Sequence, residues 1–404
     1  VCQPSIVINK RNPNNIIAAS ALDNIYFTTD AGGTWQSLKV QSASGVNGGP
    51  VLVSDDKGSI FSFHLSNPPK GGQGESGLDQ ILCHISRDGG KTWQEGASFG
   101  TAPKDQVNSW ATVDSKGNVW VAWTQVDKFE SDDNNCQSSI LLTATSNGKK
   151  WSKPIQISQS PGDCTNDDST VNGGMPAITV DGKAFVAWAH QNKIFLDRSF
   201  NGGELWLTND IAIAQQHGGW NIKIPGHARV VSKPVLMADQ SKSIYQSCLY
   251  VTWADQRNGE TDTDVWFIRS TNFGDNWSAP MKIGDDKNKR HQYLPWMTVD
   301  QTTGYIYVVY YDRAAYEDNQ TDICLAYSTD GGISFKTTKI SESSFTPDDS
   351  NVLGDYANIS AHKGIITPIW SRTDAGKTSI WTSVIKQADL IQTPQAANTK
   401  KKKK

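Results

Sequence analysis

Short apolar runs recur along the whole chain, and each is followed by a polar turn and a second apolar run. Runs of about four to eight apolar or alternating residues bounded by turn residues are typical of β-strands that are buried in a sheet. Seven such strand pairs are recognisable, at residues 4–20, 49–63, 109–123, 175–188, 233–253, 294–311 and 354–370. The pattern therefore predicts an all-β protein built from repeated hairpins.

A second pattern follows six of these strand pairs and ends in an aromatic residue. In Thr28–Trp35 it reads TTDAGGTW, and in Ser86–Trp93 it reads SRDGGKTW. Glycine supplies the positive φ that a tight hairpin needs, the Asp or Asn side chain caps amides within the turn, and the aromatic ring packs back onto the sheet. The paired polar and aromatic positions are Asp30 and Trp35, Asp88 and Trp93, Asn147 and Trp151, Asn201 and Trp206, Asn272 and Trp277, and Asp330 and Phe335.

The consensus S/T-x-D-x-G-x-x-W resembles the Asp box, or BNR repeat, of sialidases and other β-propellers. The resemblance implies a closed ring of four-stranded blades in which the box has a structural role. Seven strand pairs with six boxes predict a seven-bladed β-propeller, in which residues 378–385 supply the third strand of a last blade without a box. The six blades of sialidases are the alternative, and the first and last segments are expected to share one blade.

Composition and charge narrow the function classes. The formal net charge is −3 and basic residues are scattered except for Lys400–Lys404, so nothing indicates a nucleic-acid partner. No apolar run approaches the roughly 20 residues of a membrane-spanning helix. We expect residues 1–393 to form one propeller domain and residues 394–404 to be a flexible Lys-rich tail. The sequence does not predict the oligomeric state.

Two sets of loops should meet on the face opposite the boxes, one preceding the inner strands and one following the second strands. The residues predicted to form a binding rim there are Arg229, Arg257, Arg313, Arg372, His291, Tyr293 and Trp296. Arginines at a concave rim bind carboxylates or phosphates. The alternative is that Arg257, Arg313 and Arg372 pair with the neighbouring Asp255, Asp312 and Asp374 and brace their own loops.

The cysteines and acidic residues suggest two further features. Cys136 and Cys164 lie in long loops of adjacent blades, which predicts a disulfide and an exported protein, whereas Cys83, Cys248 and Cys324 lie in apolar strands. Asp262 and Asp264, near Asp255, offer oxygen ligands that would suit Ca²⁺. No spacing typical of a zinc site is present, and no other cofactor is expected.

The resemblance to sialidases extends over most of the chain but not to their catalytic residues. The family's first carboxylate-binding arginine belongs at the position read here as Cys2-Gln3-Pro4-Ser5, and Tyr356 has no recognisable Glu partner. The predicted function is therefore a non-catalytic binding or assembly module of the cell envelope or extracellular space, with a protein or glycan partner.

The alternative function is a carbohydrate-active enzyme, a glycoside hydrolase or polysaccharide lyase. Its candidate catalytic residues are Tyr356, Asp355, Asp312 and Asp255, with His227 or His291 as a base.

Overall fold

Each predicted strand pair forms the first two strands of an antiparallel sheet, and seven of these sheets are arranged as the blades of a ring. The computed structural model describes residues 3–66, 78–100, 103–284, 288–347, 353–374 and 376–391. All seven blades are separate sheets, so the prediction of a seven-bladed β-propeller is confirmed and the six-bladed alternative is wrong.

The strands follow one another in chain order within every blade. Blades 1 to 3 consist of β1 (Ser5–Ile8), β2 (Ile16–Ser20), β3 (Asn24–Thr28), β4 (Gln36–Lys39), β5 (Gly48–Ser54), β6 (Ile60–Leu65), β7 (Ile81–Ser86), β8 (Gln94–Glu95), β9 (Asp105–Val113), β10 (Val119–Val126), β11 (Ser138–Thr145) and β12 (Ile155–Gln156). Blade 4 consists of β13 (Asn172–Ile178), β14 (Ala184–His190), β15 (Lys193–Ser199) and β16 (Ile211–Gln215), and a short ribbon of β17 (Asn221–Ile222) and β18 (Val230–Val231) follows it.

Blades 5 and 6 consist of β19 (Val235–Ala238), β20 (Leu249–Asp255), β21 (Asp264–Ser270), β22 (Met281–Ile283), β23 (Gln292–Asp300), β24 (Tyr305–Asp312), β25 (Asp322–Ser328) and β26 (Lys336–Lys339). Blade 7 consists of β27 (Asn358–His362), β28 (Ile365–Asp374), β29 (Lys377–Thr382) and β30 (Ile385–Lys386), followed by the helix α1 (Gln387–Leu390). Both β29 and β30 pair with β28, so the sheet of this blade is three strands wide instead of four.

The inner strands line a central channel, and the second strands lie between neighbouring blades. All seven residues of β13 and all seven of β14 are buried, which explains why these segments are mostly apolar or small. The boxes form the turns between the third and fourth strands. Trp93 shows how they pack, since its indole Nε1 donates to the carbonyl of Gly90 at 3.0 Å.

The ring closes between two complete blades, so the expectation that the first and last segments share one blade was wrong. Blade 1 takes all its strands from the beginning of the chain, and blade 7 takes all of its strands from the end. The junction is made by side chains: the Ile6 amide donates to Asn358 Oδ1 at 3.0 Å, and the Ile8 amide donates to Ser360 Oγ at 3.1 Å.

The predicted disulfide is present and joins the loops of blades 3 and 4. Cys136 and Cys164 are bonded with their Cα atoms 5.7 Å apart, whereas Cys83, Cys248 and Cys324 are free and buried, as predicted. The Lys-rich tail lies outside the described residues. Within the described ranges, no helix has the length and apolar character needed to cross a membrane.

Two histidines are buried against each other in blade 2. His64 Nε2 lies 2.9 Å from His84 Nδ1, and His84 Nε2 lies 3.2 Å from the carbonyl oxygen of Gln41. Burial lowers the pKa of both rings, so both are neutral at pH 7. Burial, reinforced by His84, lowers the pKa of His64 from 6.5 to about 4.

We predict that this pair makes the protein less stable in acid. The folded pKa of His64 lies below its unfolded value, so the unfolded chain binds the proton more tightly and stability falls as pH drops below about 6.5. A shift of this size corresponds to about 3 kcal/mol between neutral pH and pH 4. Urea unfolding at pH 7.5 and pH 4.5 should show a smaller loss for His64→Gln than for the wild type. Parallel pH profiles for the two proteins would contradict the assignment.

The disulfide should order the two loops that it joins. Removing a crosslink between residues separated by 28 positions costs about 3 to 4 kcal/mol in the chain-entropy description. In a Cys136→Ser/Cys164→Ser variant, we expect faster amide hydrogen exchange in residues 127–138 and 160–170, with unchanged exchange in β24. A reductant should produce the same change in the wild type and none in the variant. Equal exchange in the oxidised wild type and the variant would show that the crosslink does not order the loops.

Candidate functional site

Three aromatic side chains divide the central channel into two chambers. The rings of Trp110 and Trp296 lie 4.1 Å apart, and the Tyr356 ring lies 5.7 Å from the first and 5.2 Å from the second. We call Trp110, Trp296 and Tyr356 the aromatic plug. Each is buried, with at most 8% of its surface exposed. Trp296 was predicted as part of an open rim, but in the structure it closes the channel.

The chamber on the face opposite the boxes is a pocket of about 170 Å³, which we call the mouth pocket. Tyr356 of the aromatic plug forms part of its wall. Its polar lining residues are Gln3, Asn108, Ser109, Asn166, Arg229, Lys233 and Asp355. Arg229 is therefore the one predicted rim arginine in this lining. The chamber on the box side is larger, about 470 Å³, and its wall includes Trp110 and Trp296.

A bulge in the inner strand of blade 3 directs Asn108 toward this pocket. The pairing of β9 with β10 shifts register between Ala122 and Thr124, and Asn108 has a φ of +53°. Asparagine tolerates this left-handed conformation better than most residues, and a bulge changes the direction of a side chain. The Asn108 amide group is fixed further by its Nδ2 atom, which donates to Asn172 Oδ1 at 2.8 Å.

Lys233, just before β19, points its ammonium group at Asn108. Lys233 Nζ donates to Asn108 Oδ1 at 2.8 Å, and only 9% of the residue is exposed. Gly173 in the neighbouring blade leaves room for this side chain, since a Cβ there would lie 3.2 Å from Lys233, and its φ of +79° also favours glycine. Within the described residues, Lys233 forms no ion pair.

The charge of Lys233 is only weakly compensated. Burial lowers its pKa from 10.5 to about 8, while Asp355 raises the pKa and Arg229 lowers it further. The Nζ atom also lies 5.5 Å from the centre of the Tyr356 ring. A buried cation whose hydrogen-bond acceptor is a neutral amide is unfavourable unless an anion joins it.

Arg229 adds a second positive charge to the mouth pocket. Its Nη2 atom donates to Asn166 Oδ1 at 3.0 Å, and its guanidinium lies 5.5 Å from the Trp220 ring. Asn166 also has a positive φ, +63°, and its Nδ2 atom donates to Glu130 Oε1 at 3.1 Å. The Nε atom of Arg229 is buried with no hydrogen-bond partner among the described residues. The guanidinium is therefore held in place with an unused donor.

Asp355 and Tyr356, the candidate catalytic pair from the sequence, occupy different parts of the wall. Asp355 Oδ2 accepts from Gln3 Nε2 at 2.9 Å. Gln3 lies near the position expected for the first sialidase arginine, and here it binds a carboxylate of its own chain. The Tyr356 hydroxyl donates to the carbonyl of Pro50 at 3.3 Å. Burial raises the pKa of this hydroxyl, which therefore stays protonated.

Two of the other rim arginines brace their own loops. Arg257 contacts both carboxylate oxygens of Asp255, at 2.6 to 3.2 Å, and Arg372 Nη2 donates to Asp374 Oδ1 at 2.7 Å. Asp255 has no exposed surface. Neither arginine is among the residues that line the mouth pocket.

Arg313 differs from these two, because it contacts Tyr293 and not Asp312. Its Nη2 atom lies 3.4 Å from the Tyr293 hydroxyl, and its Nε atom donates to Thr321 Oγ1 at 3.1 Å. His227 Nε2 lies 2.8 Å from the same hydroxyl. We call His227, Tyr293 and Arg313 the acid–base cluster. Tyr293 and Arg313 are almost completely buried.

Burial and the positive charge of Arg313 give this cluster its protonation state. Burial, followed by Arg313 and His291, lowers the pKa of His227 from 6.5 to about 3, so the imidazole is neutral. Burial raises the pKa of Tyr293, which outweighs the effect of Arg313. His291 lies beside the cluster with its Nδ1 atom 3.1 Å from Thr263 Oγ1. Within the described residues, Arg313 has no carboxylate partner.

The remaining acidic candidates have local partners. Asp312 Oδ1 accepts from the Ala314 amide at 2.7 Å, and Asp264 Oδ2 accepts from Asn258 at 2.6 Å while its other oxygen pairs with Lys282. Asp262 is buried. No group of three or more His, Cys, Asp or Glu side chains in the described part of the chain is placed to hold a metal ion.

Sequence reasoning did not select Lys233, Asn108 or Asn166. A signal for these residues exists near the start of the inner strands, where Gly49, Asn108, Gly173 and Leu294 all have positive φ within bulges. Three of these four residues are Gly or Asn, which allow that conformation. The fourth is Leu294, a residue type that does not predict a positive φ, so the pattern is not apparent in the sequence.

Comparisons with known proteins agree with the propeller fold. Residues 84–95 match the family model described as BNR/Asp-box repeat. No curated protein matches the chain. A polysaccharide lyase, the ulvan lyase of family PL25, is similar in structure with a TM-score of 0.58 and 11% identity, over 94% of this chain and 93% of that chain.

Two other solved structures are similar to this chain. The α-L-arabinanase of Penicillium chrysogenum has a TM-score of 0.50 and 13% identity, over 96% of this chain and 94% of that chain. The NanB sialidase of Streptococcus pneumoniae has a TM-score of 0.51 and 9% identity, over 92% of this chain and 82% of that chain. At these identities the likeness establishes the fold alone. The chain is a seven-bladed β-propeller with Asp-box repeats.

Proposed function

We propose that this protein is a glycan-binding module that recognises an acidic group of a polysaccharide in the mouth pocket. The observation that carries the proposal is the buried Lys233 ammonium, which lines an open pocket and has no ion pair within the described residues. A carboxylate or sulfate would supply the missing negative charge. Charge-assisted hydrogen bonds of this kind are among the strongest that a protein forms.

The other lining residues support an anionic ligand. Lys233 and Arg229 contribute two positive charges, and Asp355, held by Gln3, contributes one negative charge. Asn166 holds the Arg229 guanidinium in a fixed orientation. The aromatic plug closes the floor of the pocket, so a sugar bound there stays at the mouth and does not pass through the channel. The Cys136–Cys164 disulfide favours an oxidising compartment outside the cytoplasm for this binding.

Replacing Lys233 should remove the recognition of acidic glycans. We expect Lys233→Gln to bind alginate, polygalacturonate or chondroitin sulfate at least about tenfold more weakly than the wild type, because one charge-assisted hydrogen bond to a buried anion is lost. Titration calorimetry and affinity electrophoresis measure this. Lys57→Gln, which removes an exposed lysine, should bind as the wild type does. Equal binding of neutral dextran, or unchanged binding by Lys233→Gln, would disprove the proposal.

Binding should also weaken in mildly alkaline solution. The pKa of Lys233 is lowered to about 8, so the ammonium is charged at pH 7 and loses its proton as the pH rises toward 9. We expect the dissociation constant of the wild type to increase over this range. In Lys233→Arg the guanidinium stays charged, so the dependence should disappear. A pH-dependent Lys233→Arg variant would show that another group titrates.

A second candidate function, eliminative cleavage of an acidic polysaccharide, is favoured by the acid–base cluster. Such a reaction needs a base to remove the proton next to the carboxylate, a cation to stabilise the resulting charge, and an acid to protonate the leaving oxygen. These three groups are supplied by the neutral His227 imidazole, the Arg313 guanidinium and the Tyr293 hydroxyl. His227 Nε2 lies 2.8 Å from that hydroxyl, and Arg313 Nη2 lies 3.4 Å from it. The ulvan lyase with the same fold is consistent with this chemistry.

Access distinguishes the two functions. Arg313 Nη1 donates to the Pro225 carbonyl at 2.8 Å, and Tyr293 has no exposed surface, so a substrate would have to displace the segment that carries Pro225 and His227. The mouth pocket needs no such movement. Binding is for this reason the function that the geometry supports best.

Cleavage is tested by the absorbance of the double bond formed in an unsaturated uronate. If the acid–base cluster is catalytic, the wild type produces this absorbance with an acidic polysaccharide, and His227→Gln and Tyr293→Phe each lower the rate by at least about 100-fold. Tyr305→Phe, outside the cluster, should retain the wild-type rate. Polysaccharide binding without any unsaturated product would leave binding as the function of the protein.

A further inference from the structure

The mouth pocket has charges of opposite sign on nearly opposite sides of the channel. The inner strands follow one another around the ring in chain order, so the junction of blades 7 and 1 lies nearly opposite the junction of blades 4 and 5. Asp355 and Gln3 come from the first junction, and Lys233 and Arg229 come from the second. All four residues line the pocket, which therefore has an anionic side and a cationic side.

Asp355 is held in place without being neutralised. Its Oδ2 atom accepts from Gln3 Nε2 at 2.9 Å, and this is the one side-chain hydrogen bond of Asp355 within the described residues. A glutamine amide orients a carboxylate but leaves its negative charge uncompensated. Asp355 is partly exposed, so its Oδ1 atom is available to accept from a ligand. No ion pair joins Asp355 to Lys233 in the described part of the chain, and the pocket lies open between them.

The two sides of the pocket require different chemistry from one ligand. Lys233 and Arg229 on the cationic side attract an acidic group, whereas Asp355 accepts from a hydroxyl through a charge-assisted hydrogen bond. The two cations and one anion leave one net positive charge, which a single acidic group balances. A second acidic group on the same ligand would lie against Asp355, and like charges brought together in a partly buried site repel strongly.

We propose that Asp355 restricts the mouth pocket to sugar rings with one acidic group, as in a uronate, and excludes rings that also carry a sulfate ester. This selectivity rests on the function proposed above and names the class of acidic sugar that the pocket accepts. The uronate carboxylate binds Lys233 and Arg229, and a ring hydroxyl donates to Asp355. Sulfation of that hydroxyl removes the donated proton and brings a second negative charge to Asp355.

A site that attracted ligands by net charge alone would show the opposite preference. A sulfated oligosaccharide carries more negative charge than its unsulfated parent, and a merely cationic surface binds the more highly charged ligand more tightly. Specificity can also come from an unpaired charge that disfavours the wrong ligand, which is the role assigned here to Asp355. The order of the two affinities therefore distinguishes the proposal from general electrostatic attraction.

The test is a calorimetric titration of the wild type with tetragalacturonate and with the same oligosaccharide after O-sulfation, at physiological ionic strength. We expect the unsulfated form to bind at least about tenfold more tightly, because the sulfated rings meet Asp355. This comparison uses the wild type, so it does not depend on the folding of a variant. Equal affinities, or tighter binding of the sulfated form, would overturn the proposal.

A substitution of Asp355 tests the assignment to this residue. In Asp355→Asn the amide oxygen can still accept from Gln3, so the contact is kept and only the charge is lost. We expect the preference for the unsulfated oligosaccharide to disappear, with tighter binding of the sulfated form and weaker binding of the unsulfated form. Asp132→Asn removes an exposed carboxylate outside the pocket lining and should keep the wild-type preference. A preference that persists in Asp355→Asn would contradict the role of this residue.

Lys233→Gln separates this selectivity from the proposed function itself. If the wild type binds neither oligosaccharide, or if Lys233→Gln binds tetragalacturonate as tightly as the wild type does, the proposed function fails and the selectivity fails with it. If Lys233→Gln loses binding while the wild type binds both oligosaccharides equally, the pocket recognises acidic sugars and the role of Asp355 alone is wrong.

Discussion

The contact between blade 1 and blade 7 is the constraint on which the rest of the structure depends. No strand is shared across it, so the ring is closed by side chains: Asn358 and Ser360 accept from the amides of Ile6 and Ile8, and Gln3 donates to Asp355. These bonds replace the backbone ladder that a shared blade would provide. They also bring residues 352 positions apart in the chain into contact.

The same contact contributes to the candidate binding site. Gln3 holds Asp355 in the wall of the mouth pocket, while Lys233 and Asn108 approach from blades 5 and 3. The lysine is separated by 125 positions from its acceptor. A charged group in such a place is stable only because the surrounding blades fix its geometry, and its unpaired charge is the basis on which we propose that the pocket recognises an anion.

The arginines show how the same residue type takes different roles in one fold. Arg257 lies just after the second strand of blade 5, and Arg372 lies near the end of the second strand of blade 7. Each binds an aspartate two residues away, so their charges are already compensated. Arg313 lies just after the second strand of blade 6, but it contacts Tyr293 and Thr321. Asp312 accepts from the Ala314 amide instead. Whether an arginine is available to a ligand therefore depends on its neighbours in the adjacent strands.

The sequence by itself determined the repeat. Apolar strand pairs and the boxes from Asp30 to Phe335 are local patterns, and because each blade is one local unit, they were enough to predict seven blades and the placement of Cys136 opposite Cys164. The local pairing of Arg257 with Asp255 was foreseeable for the same reason.

Only the tertiary structure decided which residues from different blades meet. The mouth pocket depends on bulges at positions such as Asn108, and on a glycine, Gly173, that admits the Lys233 side chain. The closure of the ring and the burial of Trp296 in the aromatic plug are likewise contacts between distant segments. Their energies come from burial and from missing or satisfied hydrogen bonds, which no local pattern of residues records.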